Sequence, residues 1–180
     1  MTGRIVVGVD GSDVSATALR WALEEARLRG AAVDVVHAWH YPYVGGGDFT
    51  GMTMPAIDES QLVAAAHEVL DHAMSAAGPA PEGVAVERIV TCGGEAAVLL
   101  DAAEGADLLV VGSRGHGGFA GLLLGSVSQQ CVHHSPCPVV VVPKRSRGSD
   151  ERHQLWCHTH DVVARSHAAL VRSSSGRYGT

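Results

Sequence analysis

Short apolar runs alternate along the chain with longer segments whose apolar residues recur at helical spacing. Residues 4–9 are an apolar run followed by Asp10, which is typical of a buried parallel strand. In residues 14–29 the apolar positions lie three and four apart, on one face of a helix. The same two patterns recur along the chain as far as residue 142. They predict strands at 4–9, 32–38, 84–90, 108–111 and 139–142, and helices at 14–29, 57–77, 95–104 and 126–133.

This regular alternation of strands and helices predicts an α/β fold with a single open parallel sheet of five strands and helices on both faces. We assign residues 1–145 to one domain. Residues 40–56 form a long glycine-rich connection, which is either a functional loop or a variable one. Residues 146–180 are rich in serine, arginine and histidine and poor in branched apolar residues, so we predict a flexible, largely disordered tail.

Composition and charge narrow the function classes. The formal net charge is −6, which disfavours general binding to nucleic acids or anionic membranes. The chain has no apolar run near the roughly 18 residues of a membrane helix. The N-terminus leads directly into a strand, so we expect no signal peptide, a cytoplasmic location and free thiols for its 4 cysteines.

The segment 107–128 has the features of a phosphate-binding loop. An apolar run ends at Gly112, and a glycine-rich loop then leads to Gly125-Ser126, where a helical pattern begins. Unpaired N–H groups and the helix dipole at such a helix start attract anions, and glycine lets the backbone approach a phosphate closely. No Asp or Glu occurs between Leu108 and Ser149, and Arg114 lies within the loop.

Two other phosphate loops fit this segment poorly. A Walker loop needs a lysine after its last glycine, but the only lysine of the chain is Lys144. Residues 115–120 match a loose dinucleotide fingerprint, G-x-G-x-x-A. That fingerprint belongs at the first strand with an acidic residue about 20 positions downstream, so dinucleotide or flavin binding is disfavoured.

The spacing Gly112, two residues, Gly115, nine residues, Gly125-Ser126 resembles the ATP-binding motif of the universal stress protein family. The resemblance covers roughly residues 3–143. It includes the opening IVVGVDGS, the VVHAW of the second strand, DLLVVGSRG and the closing CPVVVVP.

The resemblance implies the strand order 3-2-1-4-5, with strands 1 and 4 adjacent, and a bound ATP with Mg²⁺. Ser126 and Ser128 would supply hydroxyls and N–H groups to the phosphates. Arg114 would counter their charge or lie idle on the surface, and Asp10 would accept hydrogen bonds or contact Mg²⁺. The implied ATP-binding residues are Gly8, Val9, Asp10, Ala38, Val111, Gly112, Arg114, Gly115, Gly125, Ser126, Val127 and Ser128.

The edge strand Val139–Val142 needs a cover, since its unpaired backbone groups would otherwise attract other strands. In the family this cover is the same strand of a second subunit, which implies a homodimer. A strand that is buried within the chain is the alternative.

Other candidate groups give weaker signals. His116 is the titratable group inside the loop, and we favour a solvated histidine over a phosphate contact. His37 is interpreted as a packed strand histidine. The sets Cys131, His133, His134, Cys137 and Cys157, His158, His160 lack structural-zinc spacing, so we predict no metal site beyond a Mg²⁺ contact at Asp10.

Three functions follow from these observations. The first is an ATP-binding stress-response or signalling regulator. Its choice of protein partner, which is unknown, would depend on whether and which nucleotide is bound. The second is a slow ATPase or autokinase, for which the loop offers few catalytic groups. The third is a nucleotide-free dimeric interaction protein, which the intact spacing of the loop disfavours.

Overall fold

The computed structural model describes residues 3–41, 58–115 and 124–144. Most of the predicted connection at 40–56, the histidine at 116 and the predicted tail at 146–180 lie outside these residues. Within them the strands are β1 (Arg4–Gly8), β2 (Ala32–Trp39), β3 (Val86–Cys92), β4 (Leu108–Gly112) and β5 (Val139–Val142). The helices are α1 (Asp13–Arg29), α2 (Glu59–Ala77), α3 (Glu95–Ala102) and α4 (Ser126–His134).

The strands form one parallel sheet in the order β3-β2-β1-β4-β5, which confirms the predicted fold. Side chains of β1 alternate between two hydrophobic cores. Ile5 and Val7 face the core that contains residues of α1 and α2, whereas Val6 faces the core that contains residues of α3 and α4. Burial on both faces explains why β1 is a continuous apolar run rather than an alternating one.

Helix α1 begins and ends at residues whose chemistry suits those positions. The side chain of Ser12 accepts a hydrogen bond from the N–H of Ser15 at 3.2 Å, which caps the first turn. Gly30 ends the helix with φ of 65°, a left-handed conformation that glycine adopts without steric cost. The start of α1 is therefore fixed directly after the carboxyl end of β1.

Three elements, α2, β3 and α3, differ by two residues from the sequence-based prediction, and α2 begins at Glu59 with Asp58 as its N-cap. Strand β3 begins at Val86 and ends at Cys92, two residues later than predicted, because a turn with the N–H of Val84 bonded to Pro81 O precedes it. Pairing with β2 then continues to Trp39 and Cys92. Helix α3 ends at Ala102, two residues before the predicted end, and a turn with a positive φ at Gly105 follows.

The order of the sheet creates a switch point at β1. Strand β1 pairs with β2 on one side and with β4 on the other, so the chain leaves its carboxyl end between two diverging connections. Ligands of open α/β sheets bind in this crevice. No helix in the described ranges is long and apolar enough to cross a membrane.

Candidate functional site

A cavity of about 740 Å³ lies at the carboxyl ends of β1, β2 and β4. Its wall combines separate parts of the chain: the end of β1, the end of β2, residues 111–115 and 125–128, and residues of α2 and α3. All the residues that the sequence predicted for ATP binding line this one cavity. They are Gly8, Val9, Asp10, Ala38, Val111, Gly112, Arg114, Gly115, Gly125, Ser126, Val127 and Ser128.

Asp10 is fixed in place by the start of α1. Its Oδ1 accepts hydrogen bonds from the N–H and the hydroxyl of Ser12, at 3.0 and 2.6 Å. Its own N–H donates to Ser15 Oγ at 3.3 Å. The carboxylate is therefore held in one orientation at the cavity wall, and part of its hydrogen-bonding capacity is used within the protein.

Gly115 and Asp10 come from different strands but lie in direct proximity. A Cβ atom added at Gly115 would overlap Asp10 Oδ2. Gly112 is also tightly enclosed, since a Cβ there would lie 2.9 Å from Val14 Cγ1. At Gly125 an added Cβ would make only ordinary contacts, the nearest at 3.5 Å to Arg114 Cα. Two of the three motif glycines thus lack a side chain because the protein itself fills the space.

The N-terminal turn of α4 forms part of the cavity wall. Gly125 is its N-cap residue and provides no side-chain hydrogen bond, and its first turn has no acidic residue. The N–H of Gly125 donates to Ser113 O at 2.8 Å, which ties this turn to the end of β4. Because Ser126 and Val127 line the cavity, their N–H groups and the helix dipole favour an anion at this point.

Arg114 places a positive charge at the same end of the cavity. Its Nε atom is buried and has no hydrogen-bond partner among the described residues. Buried polar groups in native proteins are normally paired, so this unpaired N–H is an exception. A phosphate oxygen would suit this group, because guanidinium hydrogen bonds to phosphate are strong.

Ser128 uses its hydroxyl hydrogen within the protein. Its side chain is buried, and its hydroxyl donates to Gly112 O at 2.6 Å. The hydroxyl hydrogen therefore joins the end of β4 to α4. Ser126 is exposed.

Several cavity residues were not predicted from the sequence. Helix α2 contributes Leu62, Ala66 and Val69, which recur at helical spacing and give the cavity an apolar wall. Trp39 also lines the cavity, and its ring centroid lies 5.3 Å from that of Tyr41. His37, interpreted as a packed histidine, is half-buried, and its Nδ1 lies 2.8 Å from Val9 O.

The cysteine and histidine residues of α4 do not converge. Cys131 is buried in the core beneath α4, whereas His133 and His134 are exposed. Among the described residues, no group of three or more His, Cys, Asp or Glu side chains is placed to hold a metal ion. The second set, with Cys157, His158 and His160, lies outside the described residues.

The fold and the loop define a doubly wound α/β protein with a glycine loop and a helix start at the switch point of its sheet. The model of the Universal stress protein family matches residues 1–143. The chain belongs to this family. It is 37% identical over 137 residues to universal stress proteins of Mycobacterium bovis and Mycobacterium tuberculosis. The alignment covers 76% of this chain and 43% of each relative, so the chain spans less than half the length of these curated relatives.

Solved structures agree with the family assignment. A universal stress protein from Archaeoglobus fulgidus is 31% identical with a TM-score of 0.58, over 79% of this chain and 99% of that chain. A universal stress protein crystallised in complex with cAMP is 30% identical with a TM-score of 0.51, over 78% of this chain and 95% of that chain.

The thiols of this region should differ sharply in reactivity. Burial raises the pKa of Cys131 to about 11, so its thiol stays protonated and inert in native protein near neutral pH. Cys92 is exposed at the end of β3. We expect iodoacetamide to alkylate Cys92 in native protein and Cys131 only after unfolding in urea, as read by peptide mass spectrometry. Alkylation of native Cys131 at the rate of Cys92 would contradict this placement.

Proposed function

We propose that this chain binds an adenine nucleotide, ATP with Mg²⁺, in the cavity at the carboxyl ends of β1 and β4, as a regulator in stress response or signalling. One observation supports this most. Segments that are far apart in sequence, around Asp10, around Ala38, and at residues 111–115 and 125–128, contribute to one cavity wall. The wall offers apolar surface at one part and an anion-attracting loop at another, which matches a nucleoside and its phosphates.

The phosphate end rests on three features of the described residues. The first turn of α4 presents unpaired N–H groups, Ser126 and Val127 of that turn line the cavity, and the Nε of Arg114 is buried without a partner. The segment from Leu108 to Ser149 contains no acidic residue that would repel a phosphate.

Mg²⁺ would be held mainly by the phosphates in this proposal. Among the described residues Asp10 is the carboxylate on the cavity wall next to the glycine loop. Mg²⁺ is commonly bound by one or two carboxylates together with phosphates and waters, so a single Asp suffices.

Binding fits these residues better than fast turnover. Phosphoryl transfer usually requires a lysine or arginine clamp, metal ligands and a positioned base or water. Among the described cavity residues, Arg114 and Asp10 match the first two needs, and no lysine lines the wall. We therefore propose a regulator that changes its protein partner with nucleotide state in the cytoplasm. The related protein crystallised with cAMP supports a purine nucleotide as the ligand class.

Substitution of Gly115 by alanine tests the site. The added Cβ would overlap Asp10 Oδ2, so either the carboxylate or the loop must move. Overpacking of this kind costs on the order of 1–3 kcal/mol, so we expect Gly115→Ala to weaken Mg·ATP binding by about tenfold or more in isothermal titration calorimetry.

Gly94→Ala is the matched control. Gly94 precedes α3 with φ of −67°, and a Cβ there meets nothing within 4 Å. This variant should bind like the unmodified protein. If the unmodified protein gives no binding heat with ATP, ADP or cAMP, the proposed function is contradicted. Binding of cAMP alone would replace ATP as the ligand and keep the site.

We also propose that the chain forms a homodimer through β5. In the described residues β5 pairs only with β4. Leu109 N–H donates to Pro138 O, and Ser113 N–H donates to Val142 O. Backbone groups alternate in direction along a strand, so those of Val139 and Val141 point away from β4 and are available to a second strand.

Val141→Pro tests the dimer. Proline removes an outward N–H while the inward bonds to β4 remain, and each symmetric dimer would lose the bond twice. We expect the dimer dissociation constant to rise by about tenfold or more in sedimentation velocity. Val141→Ala keeps the N–H and is the control. A monomeric unmodified protein, or a proline variant that dimerises equally well, would contradict this interface.

A further inference from the structure

The carboxyl end of β1 carries a hydrogen bond that neither the motif nor the sheet pairing accounts for. Ladder pairing between β1 and β2 ends with Gly8 opposite Val36. Beyond it, the N–H of Val9 still donates to Val36 O at 2.9 Å. The carbonyl of Val9 lies where the regular ladder has stopped, and there Nδ1 of His37 approaches it at 2.8 Å.

The chemistry of this contact determines that the ring nitrogen Nδ1 carries a hydrogen. A carbonyl oxygen only accepts hydrogen bonds, so Nδ1 of His37 must carry the hydrogen. The Nδ1–H tautomer then leaves Nε2 as the acceptor in the neutral ring. The bond joins β2 to the residue immediately before Asp10.

Asp10 is consequently held from two directions. From the α1 side, Ser12 and Ser15 bind its carboxylate and its N–H. From the β2 side, His37 holds the carbonyl of Val9, which shares a peptide unit with the nitrogen of Asp10. Rotation of that peptide would move the Asp10 carboxylate relative to the adjacent Gly115.

We propose that His37 is a positioning residue of the nucleotide site: its Nδ1–H bond to Val9 O sets the orientation of Asp10 toward the ligand. This inference rests on the proposed function, because it concerns affinity for the same nucleotide. His37 also lines the cavity, so a direct contact between its Nε2 and the ligand is the competing explanation.

Substitution of His37 by asparagine or by glutamine separates these two explanations. Asn carries its N–H donor at the same distance along the side chain as Nδ1, whereas Gln carries it near the position of Nε2. We expect His37→Leu and His37→Gln to weaken Mg·ATP binding by about threefold to tenfold, the range that one hydrogen bond contributes. His37→Asn should retain affinity close to that of the unmodified protein.

The thermal unfolding temperature of the unmodified protein and the three variants, measured without ligand, separates a loss of affinity from a loss of stability. If His37→Leu does not fold, the Asn and Gln pair carries the comparison alone. Equal affinity in all folded variants would overturn the positioning role. Rescue by Gln but not by Asn would also overturn it, in favour of a ligand contact through Nε2.

A ligand-free measurement tests the bond itself. The ¹⁵N shifts of the ring should identify the Nδ1–H tautomer, and His37→Leu should shift the amide signal of Asp10. The Nε2–H tautomer would overturn the inference while leaving the proposed function intact. If the unmodified protein does not bind Mg·ATP, the proposed function fails, and the positioning role fails with it.

Discussion

The parallel pairing of β1 with both β2 and β4 is the constraint on which the rest of this structure depends. It places the ends of three strands at one edge of the sheet, and it makes the connections that leave β1 and β4 diverge. A crevice at that edge follows from topology rather than from any single side chain. Substitutions in the cores would therefore affect the site mainly through stability, whereas substitutions at strand ends act on its geometry.

Within that crevice, glycine residues and hydrogen bonds hold the backbone close to charged side chains. Gly115 admits the carboxylate of Asp10, and the hydroxyl of Ser128 holds Gly112, so the loop after β4 is connected to both β1 and α4. The start of α4 and Arg114 both belong to a segment, Leu108 to Ser149, that contains no acidic residue. Such an arrangement favours an anion because its donors are fixed before the ligand arrives.

Much of the fold could be predicted from the sequence because its strands are short apolar runs between helices of clear periodicity. The spacing of Gly112, Gly115 and Gly125 indicated the loop, whereas Gly8, Val9 and Ala38 were predicted only because the sequence resembles the universal stress protein family. The wall from α2 was not predicted, because Leu62 and Val69 belong to the same apolar stripe as Leu70, and spacing alone cannot separate cavity from core. The bond from His37 to Val9 was equally hidden, since it depends on where two neighbouring strands stop pairing.

The central claim is that the cavity of the native protein holds an adenine nucleotide. The most direct measurement is to heat-denature freshly purified protein and to analyse the released small molecules by ion-pair chromatography and mass spectrometry. The account predicts ATP or ADP in the supernatant of the unmodified protein and a clear reduction with Gly115→Ala. Protein that releases no nucleotide, and that gives no binding signal when Mg·ATP is added back, would contradict the account.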